Sequence, residues 1–229
     1  MLCKWEELPD FMRTEEVRPY YEALRRHRTG LLLKRTFDFA AASLMLLLLS
    51  PVFLILAIWI RCDSKGPAFY KQVRITQYGR PFRIYKFRTM VTGADKIGSL
   101  VTVGGDSRIT RVGKKLRGCR LDELPQLINI WKGDMSFVGT RPEVPKYVKR
   151  YTKEMFATLL LPAGVTSEAS IRYKDEDAIL AGADADQVDD LYVSKILPEK
   201  MRYNLIEIRK TSFLHDIKVL LETVLAVCA

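Results

Sequence analysis

Leu121-Asp122-Glu123-Leu124-Pro125-Gln126 sets two adjacent carboxylates at the start of a helical pattern, within a basic chain of net charge +10. The pattern is Leu124, Leu127, Ile128 and Trp131 at i, i+3, i+4 and i+7, closed by Lys132-Gly133. Pro125 suits the first helical turn, where a missing N–H costs nothing. Asp122 and Glu123 therefore fall near the positive end of the helix dipole, which favours the ionised form. Only an ionised aspartate is a usable nucleophile. Ordinary helix capping is the competing reading of the pair.

Cations must face these acids if the partner is a polyanion. Phe69-Tyr70-Lys71-Gln72-Val73-Arg74 and Pro81-Phe82-Arg83-Ile84-Tyr85-Lys86-Phe87-Arg88 are strand-like and are separated by a turn containing Gly79. They read as a hairpin that delivers Lys86 and Arg88 to one place, with Tyr85 and Phe87 interleaved. Such alternation also suits nucleic acid. Downstream, Asp106-Ser107-Arg108-Ile109-Thr110 reads as a turn that leads through a basic stretch into the acidic pair. After the helix, Gly133 and Gly139 bracket a short apolar strand ahead of Arg141-Pro142. An arginine before proline is held extended, a posture suited to bidentate phosphate contact, although a surface turn arginine has the same local sequence.

The elements that must position these groups include one with no charge at all. Phe39 to Ile60 is a run of 22 uncharged residues, against the roughly 20 that a membrane-spanning helix needs. Leu44 to Leu49 leaves no polar face for water. The run is too long and too far from the N-terminus for a secretory signal. Arg25, Arg26, Arg28, Lys34 and Arg35 precede it, while Arg61, Lys65, Lys71, Arg74 and Arg80 follow it. Equal basic flanks place both ends on the cytoplasmic side. Ser50-Pro51 interrupts the run near its middle; proline kinks a helix, and the serine hydroxyl can take up a freed carbonyl. A re-entrant hairpin in one leaflet is the expectation, with a kinked spanning helix as the alternative.

Around this run, Pro9 to Arg28 mixes charges with Phe11, Met12, Val17, Tyr20, Tyr21 and Leu24. It reads as an interfacial amphipathic helix or a surface helix packed on the protein. Near the end of the chain, Phe213, Leu214, Ile217, Leu220, Leu221, Val224 and Leu225 form an apolar stripe for the core or a membrane surface. Seven acids and no base lie between Asp175 and Asp190, so the remainder is still more basic than the whole. Nucleic acid, anionic lipid and phosphorylated substrates are the partners such charge implies. Cys3, Cys62, Cys119 and Cys228 lack metal-ligand spacing and read as reduced thiols. His27 and His215 are too few and scattered for a metal cluster.

Six segments together resemble one family. They are Lys34-Arg35-Thr36-Phe37-Asp38 before the broken run, Gly66 to Gln72, Ile84 to Met90, Asp106 to Thr110, Leu121 to Leu127, and Lys132 to Pro142. In this order they resemble the bacterial sugar transferases, small monotopic phosphoglycosyl transferases. The resemblance implies transfer of a sugar 1-phosphate from a UDP-sugar to polyprenyl (undecaprenyl) phosphate, with release of UMP, at the cytoplasmic face of the bacterial inner membrane. It implies Asp122 as nucleophile, through an aspartyl-phosphosugar intermediate, and Glu123 as its orienting or proton-handling neighbour. Mg²⁺ is expected beside Asp122, and Lys86, Arg88 and Arg141 are expected to offset phosphate charge. The product would feed downstream glycosyltransferases in glycoconjugate assembly.

The fold class expected is α+β, mainly helical, with an interfacial segment at 1–33, a re-entrant hairpin at 34–62 and a catalytic domain at 63–229. Two departures stand out. Thr140 replaces a proline in the family's Gly-Pro-Arg-Pro, and the stretch Ser167 to Arg172 lacks the family's usual second half. Donor identity is therefore not carried over. A non-catalytic protein that binds polyprenyl phosphate or a partner enzyme on the same scaffold is the rival reading. A nucleic-acid binder leaves the uncharged run unexplained.

Overall fold

The computed structural model describes residues 2–94, 106–173 and 188–228. Most of the acidic stretch from Asp175 to Asp190 lies outside them. The chain opens with two 3₁₀ turns and helix α1 (Arg18–Arg26). Met12, Val17, Tyr20, Tyr21 and Leu24 are buried against Ile75, Leu159, Leu160, Leu205 and Ile208. Burial of these five bears on the two readings of this segment. These five are core while Phe11 stays 42% exposed, which favours the helix packed on the protein over the interfacial segment expected at 1–33.

The uncharged run folds as α2 (Arg28–Leu48) and α3 (Ser50–Asp63), bent by 62° at the break. Pro51 lies in the first turn of α3, where it forfeits no helical hydrogen bond. Ser50 Oγ donates to the carbonyl of Leu47 at 2.8 Å, taking up a group freed at the bend. Among the described residues no single helix is long and apolar enough to cross a membrane, whereas this bent pair has the length and composition together. Leu44, Leu47, Leu48, Leu54, Ile55 and Ile58 are exposed, Leu47 at 71%. A face this apolar is unusual next to water.

Strands β1 (Phe69–Ile75) and β2 (Pro81–Phe87) form the expected antiparallel hairpin, with Tyr70 opposite Lys86. Its connection uses two left-handed residues, Tyr78 and Gly79. Helix α4 (Arg111–Gly118) is capped by the Thr110 side chain, which accepts from Gly113 N–H. A 3₁₀ turn at Leu121–Glu123 follows, then α5 (Gln126–Lys132) and β3 (Met135–Val138). Gly133, at φ 86°, closes α5 in the left-handed conformation that glycine adopts without penalty. Pro125 sits one place earlier than expected, at the cap of α5.

Beyond β3 come the short helix α6 (Pro145–Val148), a 3₁₀ segment at Glu154–Leu160, strand β4 (Ala163–Thr166) and α7 (Glu168–Arg172). β3 and β4 pair in parallel, and Gly139 and Gly164 meet so closely that a side chain at Gly164 would collide with the Gly139 backbone. Gly164 N–H also donates to the Thr140 carbonyl, so the backbone at this departure is fixed. The chain ends in α8 (Val188–Leu191), a π turn, α9 (Leu197–Arg209) and α10 (Phe213–Cys228). The expected stripe on α10 does not face inward as a unit. Asp216 and Val219 are buried, while Leu214, Leu221, Val224 and Leu225 stay exposed.

Side chains of α2 lock the bent pair to the rest. Arg35 donates to the carbonyls of Ile130 and Trp131, the loose end of α5. Lys34 donates to Val138 O at 2.8 Å and pairs with buried Asp216 at 2.6 Å. Asp38 accepts from Phe137 N–H. Carbonyls at the end of α5 and backbone groups of β3 thus find partners on α2.

Candidate functional site

The acidic pair sits in the 3₁₀ turn, entered through Arg120, whose left-handed φ of 54° is uncommon for a residue with a side chain. Asn129 brackets the turn's helix against the hairpin. Its Oδ1 accepts from Tyr85 N–H and its Nδ2 donates to Arg83 O, satisfying the open edge of β2. That bracket sets the spacing between α5 and Lys86.

Lys86 Nζ then reaches Glu123 Oε1 at 2.9 Å. Arg141 meets the same carboxylate with both ends of its fork, Nη2 to Oε1 at 2.6 Å and Nη1 to Oε2 at 3.4 Å. Burial disfavours the charge on Glu123, but Arg141 and Lys86 outweigh it and hold the carboxyl well below its usual range. Glu123 is therefore an ionised anchor for two cations. Burial pushes Lys86 the other way, lowering its pKa, with Glu123 opposing.

Asp122 differs. It is buried, and burial raises its pKa above the ordinary aspartate value, with Lys86 as the main opposing influence. Asp122 lies in the 3₁₀ turn before α5 rather than in the first turn of that helix.

Both acids line a cavity of about 840 Å³, together with Lys86, Arg88, Gln126 and Arg141. Met45 of the bent pair, Val165 and Ala226 also line it, as do Arg74, Tyr147, Tyr192 and Lys200. There Tyr192 donates to Glu143 at 2.5 Å, and Arg74 donates to Pro142 O, tying the residue after Arg141 to β1.

The structure brings together Asp122, Glu123, Lys86 and Arg141, but engages Arg88 differently. Arg88 donates to Ser64 O at 2.7 Å and to Lys65 O, and reaches Ile60 O at 3.4 Å. Its guanidinium caps the exit of α3, because carbonyls at a helix end attract a cation as phosphate does. Ser50 and Pro51 lie at the bend, apart from this cluster. Asn129 and Gln126 are polar residues of the site that periodicity alone did not flag. Their amides in an otherwise apolar helix were the available signal.

Among the described residues no three His, Cys, Asp or Glu side chains converge as a metal cage. Mg²⁺ needs none, since it commonly takes one or two carboxylates and completes its shell with substrate phosphates and water. With Glu123 engaged by two cations, Asp122 is the carboxylate that fits that role.

Comparison with known proteins supplies the class. An N-acetylgalactosamine phosphotransferase of Aeromonas hydrophila, named as acting between UDP-N-acetylgalactosamine and undecaprenyl phosphate, is 43% identical over 123 residues, 54% of this chain and 29% of that protein. A UDP-glucose:undecaprenyl-phosphate glucose-1-phosphate transferase of Caulobacter vibrioides is 33% identical over 202 residues, 83% of this chain and 68% of its own length. A protein of the same name from Klebsiella pneumoniae is 32% identical over 199 residues, covering 85% of this chain and 40% of that one. These relatives are phosphoglycosyl transferases by name, and the chain spans from under a third to about two thirds of their lengths. The family described as bacterial sugar transferase matches residues 29–229, and the chain belongs to it.

Proposed function

We propose that this protein transfers a sugar 1-phosphate from a UDP-sugar to undecaprenyl or a similar polyprenyl phosphate, releasing UMP, through a covalent intermediate on Asp122. Family membership and the names of the relatives support the general reaction. The observation that carries the residue assignment is the contrast within the pair: Glu123 is spent on Lys86 and Arg141, which leaves Asp122 as the acid for chemistry.

In the first step a carboxylate oxygen of Asp122 attacks the phosphorus that bears the sugar. The bond from that phosphorus to the UMP oxygen breaks, and UMP leaves with its electron pair. In the second step a lipid phosphate oxygen attacks the same phosphorus and regenerates the Asp122 carboxylate. Covalent catalysis divides the transfer into two displacements at one site. Lys86 and Arg141, held in place by Glu123, give the cavity positive charge toward a diphosphate. Mg²⁺ held by Asp122 and the donor phosphates would supply further neutralisation of charge.

The bent pair α2–α3 is read as re-entering one leaflet at the cytoplasmic face of the cell membrane. Its exposed leucines and the equal basic flanks support that reading. Met45 then brings the membrane element to the cavity, where a prenyl chain and a soluble nucleotide meet. The lipid-linked product would be the starting substrate for glycosyltransferases that extend a glycan. The relatives' names differ in the sugar, so the donor stays a UDP-sugar here.

The test is UMP release from a panel of UDP-sugars by the full chain in lipid nanodiscs with polyprenyl phosphate. Asp122→Asn should abolish it, and mass spectrometry of the enzyme with donor alone should show a phosphosugar adduct on Asp122. Turnover at the parent rate by Asp122→Asn removes the assignment.

A further inference from the structure

Gln126 is 1% exposed, and neither Nε2 nor Oε1 has a hydrogen-bond partner among the described residues. No other buried amide there lacks partners at both atoms. Leaving a buried polar group unpaired costs about 1–3 kcal/mol. One turn further along α5, the fold satisfies Asn129 at both ends. The orphaned amide thus stands out within its own helix. It also lines the cavity, four residues after Asp122 and three after Glu123.

Its chemistry narrows what it awaits. Lys86 and Arg141 supply charge for phosphates, whereas a carboxamide is neutral and presents a donor and an acceptor side by side. That pattern matches sugar hydroxyl and acylamino groups. The inference rests on the proposed reaction, in which the sugar hangs from the phosphorus that Asp122 attacks, in the cavity that Gln126 also lines. Gln126 lines the cavity although it is 1% exposed, so contact with a ligand requires its amide to turn toward the cavity, a motion of the kind side chains make readily. We propose that Gln126 is a specificity-determining residue that hydrogen-bonds the sugar ring of the donor.

The experiment compares the full-length parent with Gln126→Leu and Gln126→Met in nanodiscs. It measures kcat/KM for UDP-sugars that differ only in their sugar, inhibition by UMP, and the thermal midpoint. For the preferred donor, kcat/KM should fall about 10- to 100-fold, the energy of one or two lost hydrogen bonds to a buried group. Discrimination between sugars should shrink, UMP inhibition should hold, and the midpoint should stay or rise because an unpaired amide has gone. Equal losses for every donor with weaker UMP inhibition would place Gln126 on the nucleotide and overturn the proposal. Unchanged donor ranking and rate, or a lowered midpoint in both variants, would also overturn it by making the amide idle or structural. A parent that releases no UMP from any donor sinks the reaction itself; an active parent with indifferent variants sinks only the role of Gln126.

Discussion

Glu123 and Arg141 meet at 2.6 Å inside the cavity, the carboxylate of one gripped by the fork of the other. Lys86 shares that carboxylate. The Arg141 side chain is 32% exposed and that of Glu123 12%, so removing the arginine costs about 1–3 kcal/mol, less than for a fully buried pair. Arg141→Ala should therefore lower stability by that order, softened by Lys86. Glu123→Gln should also lose activity, by releasing both cations. A double-mutant cycle on these two positions, read by denaturant unfolding in micelles, should give coupling above about 1 kcal/mol. Additive losses would mean that the pair is not a unit.

In the proposed reaction Asp122 must be ionised to attack, yet burial raises its pKa. Activity should thus fall with acid at a pH above the usual aspartate range. The relevant measurement is kcat/KM for UMP release against pH. Glu123, held ionised by Arg141 and Lys86, should add no limb near neutrality. An acid limb at or below pH 4, the ordinary aspartate range, would contradict the buried nucleophile. Chelation with EDTA should abolish release and added Mg²⁺ restore it; release that persists at the parent rate under chelation would exclude the metal.

The parts legible in the sequence were those governed by local rules. Ser50-Pro51 announces a break because a proline cannot sit inside a continuing helix without losing a hydrogen bond and clashing with the preceding turn, and Gly133 announces a helix end because few residues accept its φ. The β1–β2 hairpin follows from alternation around a glycine turn. What was not legible joins distant positions: Lys34 to Asp216 spans 182 residues, and Asn129 to Tyr85 spans 44. Arg88 shows the same limit. Its charge suits a phosphate and a helix end equally, and only the position of α3 decides between them. The α1 aromatics also suit lipid and core alike until Leu160 and Leu205 are seen to cover them.

At the bend, Ser50 contributes one hydrogen bond to Leu47 O, and Pro51 costs nothing where it stands. Ser50→Ala should be mild, within about 1 kcal/mol. Substituting both by leucine removes the device that stops α2 from continuing as one straight helix. Cysteines placed between Lys4 and Arg28 should be labelled only from the cytoplasmic side in the parent. In the double variant that pattern should change and UMP release should fall. External labelling of the parent would rule out the hairpin.

Outside the residues that line the cavity, Glu207 on α9 is buried beside Lys34 and Asp216, and accepts from Glu168 N–H. Burial raises its pKa from 4.5 to about 7, against the opposing help of that hydrogen bond. Below pH 4.5 the carboxyl is protonated in folded and unfolded chains alike, so it costs nothing. Between there and 7 the folded chain holds a proton that the unfolded chain has lost, so stability falls as pH rises. Above 7 a constant deficit remains, of about 3 kcal/mol at 1.36 kcal/mol per pKa unit. Glu207→Gln keeps an acceptor for Glu168 and has no charge to bury. Its unfolding free energy should match the parent near pH 4.5 and exceed it by a few kcal/mol at pH 8. Parallel pH profiles for the two proteins would show that Glu207 is charged and compensated in the folded state, with the Lys34 ammonium as the opposing cation.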